Sequence, residues 1–103
     1  MMNIDYLNSW KEQVDRVDTE ILFLLKRRLQ LQKKVFKYKM DNEITTQDKN
    51  REDEVLNNVK GKARSMGMSE GFVRNMFEEL LKESEKRRLI FIEEMEMKNK
   101  SKK

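Results

Sequence analysis

Along the first forty residues, apolar side chains return at steps of three and four: Leu7, Trp10, Val14, Val17, Ile21, Leu24, then Leu31, Val35 and Tyr38, with Arg28 holding the missing place in the series. Such a seam belongs to a long helix packed against partner helices. No Pro or Gly interrupts the chain from Met1 to Met40. The pattern therefore predicts one helix from about Asp5 to Met40, capped by Asn3 or Asp5 and ending between Met40 and Glu43. Leu25 beside Leu24 widens the stripe at mid-helix. Arg28 puts a permanent charge where a packed interior is expected, and burying an unpaired charge costs on the order of several kcal/mol. Either it has a buried anionic partner, or it faces a polar cavity that takes an anion.

After Met40 the periodicity lapses. Asp41 to Gln47 is polar, with Thr45 beside Thr46, and reads as a loop. Asp48 is a suitable N-cap for a second helix, from Lys49 to about Arg64, whose buried face is Val55, Leu56, Val59 and Ala63. Glu52 follows Asp48 by one turn, so the two can look the same way. Asp48, Arg51 and Glu52 can equally be a cap and first-turn charges. Ser65 to Ser69 is a turn, with Gly67 as C-cap and Ser69 as the next N-cap. A third helix runs from Glu70 to the mid-nineties on Phe72, Val73, Met76, Phe77, Leu80 and Leu81, then Phe91 and Met95. Between Leu81 and Phe91 its stripe turns polar, at Ser84 and Arg88. A seam that turns polar between apolar neighbours marks a cavity, or else Arg88 has a carboxylate partner. Three helices and no strand make the fold class all-α.

Composition changes this picture in two ways. The chain has 103 residues, 37% hydrophobic and 41% charged. That is enough for one domain with a modest core. A helix of about 50 Å overhangs a compact domain with a radius of gyration of about 13 Å, so a dimer or higher oligomer is expected to bury its length. The chain also has no Cys and no His, which removes thiol and imidazole chemistry and the common zinc sites. Neither a metal nor a cofactor is expected. No apolar run has the length of a signal-peptide core or a membrane span, so the expected location is cytoplasmic, with no membrane partner. The net charge of +4 tolerates anionic partners without demanding them. The lysines at 33, 34 and 37 read as a solvated face. The basic stretch Lys98 to Lys103 lacks interleaved aromatics and is expected to be a disordered tail rather than a nucleic-acid site.

Lys39 follows Arg28 by eleven residues, about three helical turns, and so projects from nearly the same face. Arg28 and Lys39 on the first helix, Asp48 to Glu52 at the start of the second, and Ser84 and Arg88 on the third form a set. It is rich in cations, with hydroxyl and carboxylate companions. It suits a small dianion that carries a hydroxyl group.

These residues resemble the all-helical class of chorismate mutase. The resemblance spans about Leu7 to Phe91. It lies in Val14-Asp15-Arg16-Val17-Asp18, Ile21-Leu22 and Leu24-Leu25, then Arg27-Arg28-Leu29, Val35 and Lys37-Tyr38-Lys39. It continues through Ile44, Asp48, Arg51-Glu52 and Val55-Leu56, and ends in Phe77 and Glu83-Ser84. The spacing from Arg28 to Lys39 to Arg51-Glu52 to Ser84 is its selective part. The resemblance implies an intertwined homodimer of three-helix chains with two equivalent pockets, and conversion of chorismate to prephenate in aromatic amino acid biosynthesis. It implies that Arg28 grips a substrate carboxylate, that Lys39 contacts a carboxylate and the ether oxygen, and that Glu52 and the backbone near Asp48 hold the ring hydroxyl. Ser84 then donates to a carboxylate, and Arg51 supports the wall by pairing with Asp48. Residues 1–97 would form the mutase domain and 98–103 the tail.

Two positions depart from the family pattern. Lys11 stands where the partner chain usually contributes an Arg, which keeps the charge but loses the bidentate geometry. Arg88 stands where the family usually has Gln or Glu facing the ether oxygen. It can donate there, or crowd Lys39, or sit off the site and leave Arg87 closer. The alternatives to an active mutase are a non-catalytic helical dimer of the same fold and a lyase releasing pyruvate from isochorismate.

Overall fold

A computed structural model describes residues 3–44 and 49–100 of the chain. They form three α-helices: α1 (Ile4–Asp41), α2 (Lys49–Ser65) and α3 (Glu70–Lys100). No strand occurs among the described residues. The chain divides into two compact units, Met1–Lys34 and Val35–Lys103.

The first unit holds most of α1. Asn3 caps the helix: its Oδ1 accepts a hydrogen bond from the Asp5 N–H at 3.0 Å, so an otherwise orphaned first-turn donor is satisfied. One turn in, Tyr6 and Trp10 stack with ring centroids 6.1 Å apart. The helix is 38 residues long, about 57 Å at 1.5 Å per residue. None of its residues is buried. The apolar residues of the seam that the periodicity picks out are all exposed: Trp10 is 60% exposed and Leu24 61%.

The second unit contains the end of α1 together with α2 and α3, and α2 packs on α3. Both helix ends in it close by the same device. At the end of α2, the Met68 N–H donates to the Ala63 carbonyl at 2.8 Å and the Gly67 N–H to the Arg64 carbonyl at 3.2 Å. Gly67 takes the left-handed backbone (φ 68°) that this Schellman arrangement needs. At the end of α1, the Ile44 N–H reaches the Lys39 carbonyl at 2.8 Å and the Glu43 N–H the Met40 carbonyl at 3.2 Å. There the left-handed residue is Glu43 (φ 54°), a side chain that disfavours that region. Ser69 caps α3, its Oγ accepting from the Phe72 N–H at 3.3 Å.

The core of this unit is small. Ala63 at the end of α2, Val73 near the start of α3 and Phe91 further along it are the buried hydrophobic residues among those described, joined by one polar residue, Ser84. Val55, Leu56 and Val59 of α2 are half-buried. Phe72 and Met76, expected on the core face of α3, remain exposed. Helix α3 also runs past the mid-nineties, where it was expected to end, and through Lys98 to Lys100, the start of the stretch expected to be disordered. Cations in a last turn suit the negative end of the helix dipole. Residues 101–103 lie outside the described residues. Among the described residues, no helix is long and apolar enough to cross a membrane.

Candidate active site

The candidate residues fall on all three helices. Of those in the first unit, Lys11 is exposed and Arg28 half-buried. Arg28 keeps the place in the seam that the periodicity gives it, but its seam neighbours Leu24 and Leu31 are exposed. The interior expected around Arg28 is thus not formed by the first unit alone.

In the second unit, Lys39 is half-buried in the last turn of α1, and its carbonyl takes the closing hydrogen bond from Ile44. Asp48 lies outside the described residues. Arg51 and Glu52 occupy the exposed first turn of α2. Arg51 was expected to pair with Asp48; the ion pair it forms within α2 is with Glu54, at 3.1 Å and one turn on. Both partners are well exposed, and pairs of that kind are worth about 1 kcal/mol at most.

Helix α3 carries the best-defined part of the set. Ser84 and Arg88 are one turn apart, so they share a face. Ser84 is 6% exposed, and no buried side-chain nitrogen or oxygen among the described residues lacks a hydrogen-bond partner. The Arg88 side chain is 14% exposed and meets Glu85 in a fork: Nη2 to Oε1 at 2.6 Å and Nε to Oε2 at 2.9 Å. These hydrogen bonds hold the guanidinium pKa above its ordinary value, against the lowering pull of burial and with a smaller contribution from the charge of Glu85. Arg87 is instead 55% exposed and pairs outward with Glu83 at 3.0 Å. Burial thus settles which arginine shares the Ser84 face. It is Arg88, and the carboxylate partner open to it in the sequence is Glu85.

Glu85 was not singled out from the sequence. The signal was its place three residues before Arg88, the spacing at which helical side chains meet. The burial that gives this pair its weight is not readable from spacing.

The hydrogen bonds and ion pairs described for Arg51, Arg87 and Arg88 run within their own helices. A shallow hollow of about 390 Å³ lies on α2 against Asn57, Asn58, Gly61, Lys62, Ser65 and Met66. It includes none of the candidates and offers no charged pair or buried polar group.

What the candidates supply is a graded set of donors: three guanidinium groups, two ammonium groups and a buried hydroxyl, with the carboxylates of Asp48 and Glu52 as acceptors. It holds no nucleophile–base pair. Comparison with known proteins speaks to the same stretch. Residues 10–88 match the family described as chorismate mutase type II, and every candidate from Lys11 to Arg88 falls inside the match. No curated protein and no solved structure matches the chain. With most of its length covered, the chain belongs to the chorismate mutase type II family.

Proposed function

We propose that the protein is an active chorismate mutase that converts chorismate to prephenate for aromatic amino acid synthesis, working as a homodimer without metal or cofactor. Residues 1–97 form its mutase domain in this reading. The observation that carries it is the buried polar face of Ser84 and Arg88, lying in the matched stretch on a helix whose neighbouring positions are apolar.

The reaction is an intramolecular rearrangement. One C–O bond breaks at the ether oxygen while a C–C bond forms, and no proton, electron or group leaves the molecule. A chain without His or Cys loses nothing by their absence. Two things are required. The flexible substrate must be held in a compact conformer, which removes an entropic cost. Donors must also face the ether oxygen, where negative charge grows as its bond breaks. In the proposed site Arg28 grips one carboxylate as a planar two-toothed donor. Lys39 contacts a carboxylate and the ether oxygen, and Ser84 donates to a carboxylate. Glu52 and the backbone beside Asp48 hold the ring hydroxyl, with Arg51 supporting that wall. Lys11 reaches the site from the partner chain, and Arg88 donates at the ether oxygen.

Dimerisation is supported by the state of α1. Helices in proteins draw most of their stability from burying an apolar face. The apolar residues of the α1 seam, from Leu7 to Val35, are exposed, and a second copy would cover them.

The test is product identification. Purified protein incubated with chorismate should yield prephenate, and an Arg28→Ala, Lys39→Ala double variant should lose at least about a thousandfold in rate. Equal turnover by the two proteins would refute the site. Pyruvate released from isochorismate faster than prephenate forms from chorismate would favour the lyase. A folded helical dimer that forms neither product would be the non-catalytic relative.

A further inference from the structure

We propose that Glu85 is a positioning residue for this reaction: its carboxylate grips the Nε–Nη2 edge of Arg88 and turns that arginine into a charge-balanced donor, so that the pair together does what a neutral side chain could do alone. The inference rests on the mutase reading and goes beyond it, because nothing in that reading calls for a carboxylate here.

Three observations carry it. The pair is a fork with both hydrogen bonds short, at 2.6 and 2.9 Å, a geometry that fixes the plane of the guanidinium as well as its distance. The pair is also shielded. Arg88 is 14% and Glu85 35% exposed at the side chain, whereas the other ion pairs within α3 each keep both partners at least 36% exposed. A contact removed from water is screened less and holds its geometry better than an open one. Finally, Arg88 shares its face with Ser84, a proposed substrate contact, while Glu85 is the next residue along from Ser84.

Without Glu85, Arg88 would add a full positive charge to a set that already holds Lys39. The empty site would then be strained by like charges, and the guanidinium would lose the fork that fixes its plane. With Glu85 the net charge of the pair is zero, yet the N–H groups remain polarised donors. A donor held in place before the reaction begins lowers the barrier more than one that must be ordered during it.

The experiment is a kinetic cycle on the full-length protein with chorismate as substrate, using Glu85→Ala, Arg88→Gln and the double variant. In the arginine background, Glu85→Ala should lower kcat by about tenfold. KM should stay level or fall, since the uncovered cation attracts a dianion. In the Arg88→Gln background, where there is no guanidinium to hold, the same change should leave kcat within about twofold. Glu85→Asp, which keeps the carboxylate, should recover part of the loss. Equal kcat losses in both backgrounds would show that Glu85 only supports the helix and would overturn the proposal. So would no loss in either. If the parent protein itself turns over no chorismate, the mutase reading falls and this inference with it, an outcome distinct from an active parent that is indifferent to Glu85.

Discussion

Arg28 and Arg88 are both guanidinium groups at places where the helical pattern calls for an apolar side chain, and the surroundings of Arg88 show how such a charge is tolerated. Its fork with Glu85 replaces lost water with two charge-assisted hydrogen bonds. The sequence pointed to Ser84 and Arg88 as polar intrusions in the α3 stripe, and both occupy a shielded face. It left open which of two adjacent arginines belonged there. Neighbouring residues on a helix lie about 100° apart, so an apolar stripe this ragged cannot choose between them, whereas burial does. Lys11 gives a prediction at this scale. If it serves as the partner chain's contact with a carboxylate, Lys11→Arg adds the planar two-toothed geometry that an ammonium lacks. Steady-state kinetics should then show KM for chorismate falling about threefold to tenfold with kcat little changed. An unchanged KM would remove Lys11 from the site.

At the scale of elements, the helix ends were legible wherever a residue type has one strong local role. Asn3 and Ser69 cap their helices through the side-chain oxygens that make those residues good caps. Gly67 closes α2 in the conformation only glycine takes freely. The end of α1 was placed correctly between Met40 and Glu43, but not the manner of its closing. Glu43 adopts a left-handed backbone that no propensity assigns to glutamate, because the two closing hydrogen bonds to the Lys39 and Met40 carbonyls outweigh the local preference. That strain predicts a stabilising change. Glu43→Gly should raise the unfolding free energy by about 1 kcal/mol, read as a higher denaturant midpoint at constant slope. A lower midpoint would mean that the glutamate side chain does more than tolerate its backbone. The reach of α3 to Lys100 was underestimated because the apolar stripe fades after Met95, and stripe length is a guide to packing rather than to where a helix must stop.

At the scale of the molecule, the mutase family and the all-α architecture were both legible in the chain, the first as a resemblance carried by segments between Leu7 and Phe91 and the second from periodicity. What the chain by itself does not bury is the α1 seam. The proposal that a second copy covers it carries a prediction independent of catalysis. Sedimentation should find a dimer, and its thermal midpoint should rise with protein concentration, as linkage between folding and association requires. Ile21→Glu, a carboxylate in mid-seam, should lower both the dimer fraction and the helix content, while Glu12→Gln on the polar side should change neither. A concentration-independent monomer with full helicity would reject the dimer. Whether this helical set of cations and donors rearranges chorismate is decided by following the loss of chorismate absorbance in the ultraviolet with the purified protein. Chorismate should disappear at saturation with a turnover constant about a million-fold or more above the uncatalysed first-order constant, and the Arg28→Ala, Lys39→Ala pair should suppress it. Chorismate that decays at the same rate with and without the folded protein would contradict the mutase reading.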